Sequence, residues 1–141
     1  MIIQQLSVFL ENRSGRLTEV TAALAESQIN IAAQCVAETS DFGILRMIVS
    51  DPAQARLVLR EKGFSVQLSE VLCLTTPNVP GALHKALQVL SDAGISIDYM
   101  YAFAIQDHAF VALRPSDLSR SVELLLKHDQ TLLQAADIGS G

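Results

Sequence analysis

Two short segments of this chain have nearly the same pattern: Asn12-Arg13-Ser14-Gly15-Arg16-Leu17 and Asn78-Val79-Pro80-Gly81-Ala82-Leu83. They lie 66 residues apart, the distance from Asn12 to Asn78. The same offset, held without a gap, aligns many further like positions, among them Leu6 with Leu72, Leu24 with Leu90, Ile29-Asn30-Ile31 with Ile95-Ser96-Ile97, and Asp51 with Asp117. A single ungapped offset of this kind indicates an internal duplication. We therefore expect two modules, residues 1–69 and residues 70–141.

Each half predicts the same order of elements from its apolar spacing and turn residues. The first half predicts strands over 2–10, 31–38, 44–49 and 64–68, with one helix after Gly15 and another after Asp51-Pro52. The second half predicts strands over 71–75, 96–105, 109–113 and 131–136, with helices over 83–93 and 118–128. The order βαββαβ is the ferredoxin-like arrangement. We expect an α+β protein with one antiparallel sheet per module and both helices on one face.

Composition argues against several partners. The net charge is −5 and the basic residues are scattered, whereas a nucleic acid requires a basic face. No apolar run reaches the ~18 residues of a membrane span, and the start of the sequence has no signal-peptide pattern. The two cysteines match no metal or redox spacing. These features favour a cytoplasmic protein without nucleic-acid or membrane partners.

Catalytic, metal-carrying and RNA-binding versions of this fold are disfavoured by the residues present. The first loop of each half contains no thiol for a soft metal. Seven aromatic residues, five Phe and two Tyr, are few for base stacking. His84, His108 and His128 share no ligand spacing, and Cys35 and Cys73 lie in predicted strands as small apolar residues. We expect no enzyme activity and no cofactor.

The two first loops are the remaining candidates for a site. In each, an Asn is followed three residues later by a Gly, and a helix begins at once. Gly allows close approach of the backbone, and amides at a helix start can bind a carboxylate. The Asn side chain offers an acceptor and two donors to a small zwitterion. The alternative is that Asn-x-x-Gly only forms a turn.

The first half also resembles a known family. The segment 11–17 and Ile29-Asn30-Ile31-Ala32-Ala33-Gln34 are similar to the ACT domain at the end of bacterial D-3-phosphoglycerate dehydrogenase. The second half resembles ACT domains more generally. This resemblance implies a regulatory protein that senses an amino acid at the interface between two ACT modules.

The resemblance also implies which residues bind the ligand. In the dehydrogenase, the loop Asn of one module and the Asn that opens the second strand of its neighbour hold the amino acid. The matching residues form two unequal sites: Asn78, Gly81 and Ala82 with Asn30, and Asn12, Gly15 and Arg16 with Ser96. Ser14, Leu17 and Leu83 of the same loops complete the expected ligand-binding set.

One departure from the family bears on the ligand. The dehydrogenase has a His two residues before its loop Asn, where this chain has Leu10 and Thr76. The loss of this polar contact favours an aliphatic or aromatic amino acid over serine. The cluster Tyr99-Met100-Tyr101 with Phe103 fits either a pocket for such a side chain or ordinary packing.

Two other functions stay open from the sequence. One is a structural dimerisation or interaction module that pairs through its sheet edges. The other is a regulatory subunit of an amino-acid biosynthetic enzyme, similar to the small subunit of acetolactate synthase. A homodimer is expected in each case, with a metabolic enzyme as a further partner.

Overall fold

The computed structural model describes residues 1–11, 13–38 and 41–139. The chain divides into two compact units. The first unit contains Gln4–Ser69 and the end of the chain from Ala136, and the second contains Met1–Ile3 and Glu70–Ala135.

The first unit has one sheet and two helices. Its elements are β1 (Ile2–Glu11), α1 (Arg16–Glu26), β2 (Ile31–Glu38), β3 (Phe42–Val49), α2 (Pro52–Glu61) and the start of β4 (Ser65–Pro77). The strand order is β2-β3-β1-β4. Strand β3 pairs antiparallel with β1, where Met47 lies opposite Leu6, and with β2, where Val49 lies opposite Ile31.

The second unit continues from β4. Its further elements are α3 (Ala82–Asp92), β5 (Ile97–Ile105), β6 (His108–Pro115), α4 (Leu118–Lys127), β7 (Thr131–Leu132) and α5 (Ala135–Gly139). Strand β6 pairs antiparallel with β4 and with β5, and β7 pairs antiparallel with β4. Leu72 lies opposite Leu113, which repeats the pair Leu6 and Met47 at the sequence offset.

The duplication is preserved in backbone detail. Helices α3 and α4 begin and end 66 residues after α1 and α2. Backbones with positive φ recur in the same places: Gly15 and Gly81, Gln28 and Gly94, Gly63 and Asp129. The predicted α+β fold of two βαββαβ modules is therefore confirmed.

Each unit buries an apolar core between its sheet and its helices. In the first unit, Leu6, Val8 and Leu10 alternate along β1 and pack with Val20 and Leu24 of α1. In the second, Leu72 and Leu74 of β4 pack with Ala86 and Leu90 of α3. Apolar residues recur at every second position on the strands and at helical spacing on the helices, and this is the pattern from which the fold was predicted.

Two predicted strand boundaries are wrong. The strands expected over 64–68 and 71–75 form one continuous strand, β4, which serves both units. The last strand, expected over 131–136, ends at Leu132, and a short helix follows from Ala135. Alanine favours helix over strand, and the ladder with β4 ends after two residue pairs.

No helix in the described part of the chain is long and apolar enough to cross a membrane.

Candidate functional site

The four long helices begin in two different ways. Asp51 and Asp117 cap α2 and α4, because their carboxylates accept backbone N–H bonds from Gln54 and Arg120, each at 3.1 Å. Helices α1 and α3 instead follow Gly15 and Gly81, and neither has a side-chain cap. Both glycines are left-handed, with φ of 90° and 88°, which a residue with a Cβ disfavours. The first amide of each helix donates within the loop, from Arg16 to the Arg13 carbonyl at 3.4 Å and from Ala82 to the Val79 carbonyl at 3.2 Å. The first-turn amides that follow Arg16 and Ala82 are therefore the ones available to an anion.

A cavity of about 140 Å³ lies beside the start of α1 in the first unit. Its walls come from the end of β1, the loop into α1, the end of β2 and the start of β3. The lining residues are Leu10, Glu11, Arg13, Arg16, Leu17, Val36, Glu38, Phe42 and Gly43. The cavity forms here because the β1–β3 ladder places Glu11 opposite Phe42, so that the hairpin end meets the β1–α1 loop.

Charged groups of both signs line this cavity. Arg16 is mostly buried, its Nη1 lies 2.6 Å from Oε2 of Glu19, and its guanidinium lies 4.2 Å from the centre of the Phe64 ring. Arg16 Nε is buried and has no hydrogen-bond partner among the described residues. Arg13 is 60% exposed, and its Nε lies 3.9 Å from Oε2 of Glu11. Arg16 is thus held in the wall, whereas Arg13 and Glu11 can reorient towards a ligand.

The rest of the lining is apolar. Leu10 is buried, Leu17 and Val36 are partly exposed, and the ring of Phe42 packs at a tilt against that of Phe9, with 4.6 Å between ring centres. A cavity of ~150 Å³ with an apolar lining is large enough for benzene. The site therefore combines room for a small apolar side chain with both signs of charge at its rim.

The structure brings together only part of the predicted first site. Arg16 and Leu17 line the cavity, and Ser14 and Gly15 lie exposed in the loop that leads to it. Asn12 lies outside the described residues. Asn30 precedes β2, whose other end forms the cavity wall, and eight residues of strand span about 25 Å. Within the first unit, Asn30 therefore lies far from the loop.

Asn30 and Ser96 occupy equivalent structural positions. The backbone N–H of Asn30 donates to Oγ of Ser50 at 2.9 Å, and that of Ser96 donates to Oγ of Ser116 at 3.1 Å. Both residues are exposed. Their backbone amides are used in fixing the strand start, and their side chains face solvent.

In the second loop, Asn78 has a structural contact. Its Nδ2 donates to the carbonyl of Gln106 at 2.9 Å, and its backbone N–H donates to the carbonyl of Asp107 at 2.8 Å. Asn78 thereby fastens the loop to the β5–β6 hairpin, as the turn alternative predicts. Further along, Gly81 is exposed, Ala82 is half-buried, and Leu83 packs against the core.

Thr76 is the counterpart of Leu10 in the second unit. It is buried, and its hydroxyl has no hydrogen-bond partner among the described residues. A buried hydroxyl without a partner costs free energy. Thr76 therefore places a buried polar group just before the second loop, at the position where Leu10 provides an apolar side chain before the first loop.

The aromatic cluster of β5 does not form one surface. Met100 packs against the core of the second unit, whereas Tyr99, Tyr101 and Phe103 alternate with it along the strand and face the other side. Phe103 is 48% exposed, and its ring lies 5.4 Å from that of Phe110. Packing therefore accounts for Met100.

Several lining residues were not predicted, notably Glu11, Arg13, Glu38 and Phe42. The predicted β2–β3 hairpin could have indicated these residues, because in a βαββαβ sheet the end of this hairpin lies beside the first loop. From the sequence, Phe42 was expected in the turn of that hairpin, because the third strand was predicted to begin only at residue 44, whereas it begins at Phe42.

Other chemistry is sparse in the described residues. No group of three His, Cys, Asp or Glu side chains there could hold a metal ion. Burial raises the pKa of the Cys73 thiol from 9.0 to about 12, which disfavours the reactive thiolate.

Comparison with known proteins identifies the family of the chain. The sequence matches the family described as the ACT domain pair over residues 1–140. A protein of known crystal structure from Bacteroides thetaiotaomicron is 49% identical, with 100% of this chain and 98% of that chain covered and a TM-score of 0.96. A search of curated proteins finds no match.

More distant structures share the fold. The ligand-free regulatory subunit of aspartate kinase from Thermus thermophilus is 13% identical, with 90% of this chain and 94% of that chain covered and a TM-score of 0.68. The Thermus flavus regulatory subunit is 17% identical, with 90% and 92% covered and a TM-score of 0.66. The narrower resemblance to the dehydrogenase domain is not confirmed by these similarities. The chain belongs to the family of ACT domain pairs.

Proposed function

We propose that this chain is a cytoplasmic regulatory protein, not an enzyme, that binds a small amino acid with an aliphatic side chain. The observation that carries the proposal is the cavity at the start of α1, where charges of both signs surround an apolar wall. Membership of the ACT domain pair family supports a regulatory role. So do the regulatory subunits of aspartate kinases that share the fold.

The charges suit the two ends of a zwitterion. The ligand carboxylate accepts hydrogen bonds from the first-turn amides of α1 that follow Arg16 and from the Arg13 guanidinium, because both offer donors to an anion. The ammonium group lies against the carboxylates of Glu11 and Glu38, which line the same cavity. Asn12, which precedes Arg13 in the sequence, is proposed as a further polar contact.

The cavity size and lining select the side chain. Leu10, Leu17, Val36 and Phe42 provide apolar contact, and each buried methylene contributes about 0.8 kcal/mol. A volume of about 140 Å³ suits a small aliphatic side chain better than an indole. Leu10 offers an apolar rather than a polar contact in the cavity, which disfavours serine.

The second loop is proposed as a weaker site of the same kind. It has the uncapped helix start at Gly81 but no arginine, since Val79 and Ala82 stand where the first loop has Arg13 and Arg16. Asn78 and Leu83 of the same loop are its candidate contacts.

Thermal unfolding in the presence of each of the twenty amino acids tests the proposal. A ligand at 100 times its dissociation constant adds roughly 2.7 kcal/mol, which shifts Tm by several degrees in a small protein. We expect a shift with aliphatic amino acids that Arg13→Ala removes and Arg13→Lys partly retains. Asn12→Ala should weaken the same shift.

The second-loop variant Asn78→Ala serves as the matched control. If Asn78→Ala removes the shift and Arg13→Ala does not, the ligand binds at the second loop and the first cavity is not the site. No shift with any of the twenty amino acids would overturn the proposal and favour the structural interaction module.

A further inference from the structure

A groove of about 370 Å³ lies between the two long helices of the second unit. Helix α3 provides one wall, and His128, directly after the end of α4, belongs to the other. The lining residues are His84, Lys85, Gln88, Val89, Asp92 and His128, none of which lines the ligand cavity of the first unit. The volume lies in the range of small-molecule pockets, about 300–1,000 Å³. We call it the α3–α4 groove.

The first unit has an equivalent groove, and the charges in it are paired. It is lined by Glu19, Ala22, Ala23, Glu26, Lys62 and Phe64. All of these except Phe64 lie 66 positions before a residue of the α3–α4 groove. Oε2 of Glu19 lies 2.6 Å from Nη1 of Arg16, and Oε2 of Glu26 lies 4.0 Å from Nζ of Lys62. Each charged group of this groove therefore has an opposite charge beside it.

The second unit has lost the first of these ion pairs. Lys85 stands where the first unit has Glu19, and Ala82 stands where it has Arg16. A carboxylate with a guanidinium partner has thus been replaced by an ammonium group, and the guanidinium by a methyl group. The two positions therefore change from a neutral pair to one positive charge.

The second ion pair has been lost as well. His128 stands where the first unit has Lys62, and Asp92 stands where it has Glu26. Oδ1 of Asp92 accepts a hydrogen bond from Nε2 of Gln88 at 2.7 Å. The only carboxylate in the lining of the α3–α4 groove is therefore engaged by a neighbour on its own helix.

Three side chains with hydrogen-bond donors are left free in this groove. No hydrogen bond or ion pair joins the side chain of His84, Lys85 or His128 to another residue in the described part of the chain. An ammonium group has three N–H donors, and even a neutral imidazole has one. These donors line one groove although 44 residues separate His84 from His128. Such an excess of donors over acceptors suits an anion.

The number of donor groups indicates which anion. A phosphate group has three terminal oxygens that accept hydrogen bonds, so all three side chains can bind it at once, whereas a carboxylate has two oxygens. The groove is larger than a phosphate group requires, and Val89 adds an apolar surface to its lining. The remaining room suits the organic part of a small phosphate ester.

We propose that the α3–α4 groove binds a small phosphate ester through the ammonium group of Lys85 and the imidazoles of His84 and His128. The site goes beyond the proposed amino-acid site, since it lies in another unit and shares no lining residue with the ligand cavity. It gives the chain a second ligand of a different chemical class.

NMR titration of the full chain at pH 7 and constant ionic strength tests the site, with inorganic phosphate, glycerol 3-phosphate and acetate as probes. We expect glycerol 3-phosphate to bind with a dissociation constant of about 0.1–10 mM and to shift the signals of the groove lining. Inorganic phosphate should bind more weakly than the ester, because it makes no contact with Val89. Acetate should bind about tenfold more weakly than the ester, because it has two acceptor oxygens.

Variants of two lysines locate the binding. Lys85→Gln should raise the dissociation constant of glycerol 3-phosphate about tenfold, whereas Lys85→Arg should keep it within about threefold of wild type. Lys127→Gln removes the same charge next to His128 but outside the groove lining, and it should change binding by less than about twofold. His84→Thr, which places in the second unit the residue that the first unit has as Thr18, should also weaken binding.

Four results would overturn the proposal. The first is the absence of shifts in the groove signals with glycerol 3-phosphate at about ten times the weakest expected dissociation constant. The second is equal weakening by Lys85→Gln and Lys127→Gln, which shows general attraction to positive charge. The third is binding of acetate as tight as that of the ester, and the fourth is tighter binding of inorganic phosphate than of the ester.

Discussion

At the scale of single residues, the buried thiol of Cys73 links stability to pH. Burial raises the pKa of this thiol from 9.0 to about 12, because the folded protein disfavours the thiolate. Above pH 9 the unfolded chain releases this proton while the folded chain keeps it. The Cys73 contribution to stability is therefore complete below pH 9 and is lost as the pH rises towards 12.

We expect this thiol to remove roughly 2–3 kcal/mol from the free energy of unfolding between pH 8 and pH 11, at about 1.4 kcal/mol per pKa unit. Urea unfolding at both pH values measures the loss. Other groups also titrate in this range, so the decisive quantity is the difference between wild type and Cys73→Ala. Cys35→Ala is the matched control and should keep the full loss. Equal pH dependence in wild type and Cys73→Ala would contradict the assignment.

The sequence predicted some of the residues that line the cavity and missed others. Arg16 and Leu17 were predicted as ligand contacts, and they line the cavity. Glu38 and Phe42 were not predicted, because they reach the loop only through the register that places Glu11 opposite Phe42. Such register depends on pairing between distant strands, which one sequence specifies only through its whole alternating pattern.

At the scale of elements, the aspartate caps of α2 and α4 can be tested by substitution. Asp51 and Asp117 each accept a bond from the third amide of their helix at 3.1 Å. Asp51→Ala and Asp117→Ala should each lower the free energy of unfolding by about 1 kcal/mol, measured by urea titration. Asp51→Ser and Asp117→Ser should retain most of the stability, since Ser also caps. If the Ala variants are as stable as wild type, the caps contribute nothing.

The elements also differ in how well the sequence predicted them. Strand β2 was predicted with its observed bounds, and the predicted ends of the helices lie within about a residue of the observed ones. Amphipathic spacing and the Asp or Gly residues at helix ends are local signals, so they can be read from the sequence. The merging of two expected strands into β4 was missed, since Ser69 and Glu70 interrupt the apolar pattern without ending the strand. The short helix from Ala135 was missed because so few residues carry little periodicity.

At the scale of the whole molecule, Arg16 marks a difference between the first loops of the two units. It lines the ligand cavity, and its guanidinium contacts Glu19 and Phe64, so it is held in the cavity wall. The second unit has Ala82 at this position, so its loop lacks this guanidinium.

We expect Arg16→Ala, which places in the first unit the residue that the second unit has, to weaken the thermal shift produced by the amino acid, because the cavity loses the side chain and the charge of one wall. Thermal unfolding of this variant with and without the amino acid that shifts the wild-type chain measures the effect. If Arg16→Ala keeps the full shift, Arg16 does not contribute to binding at the cavity.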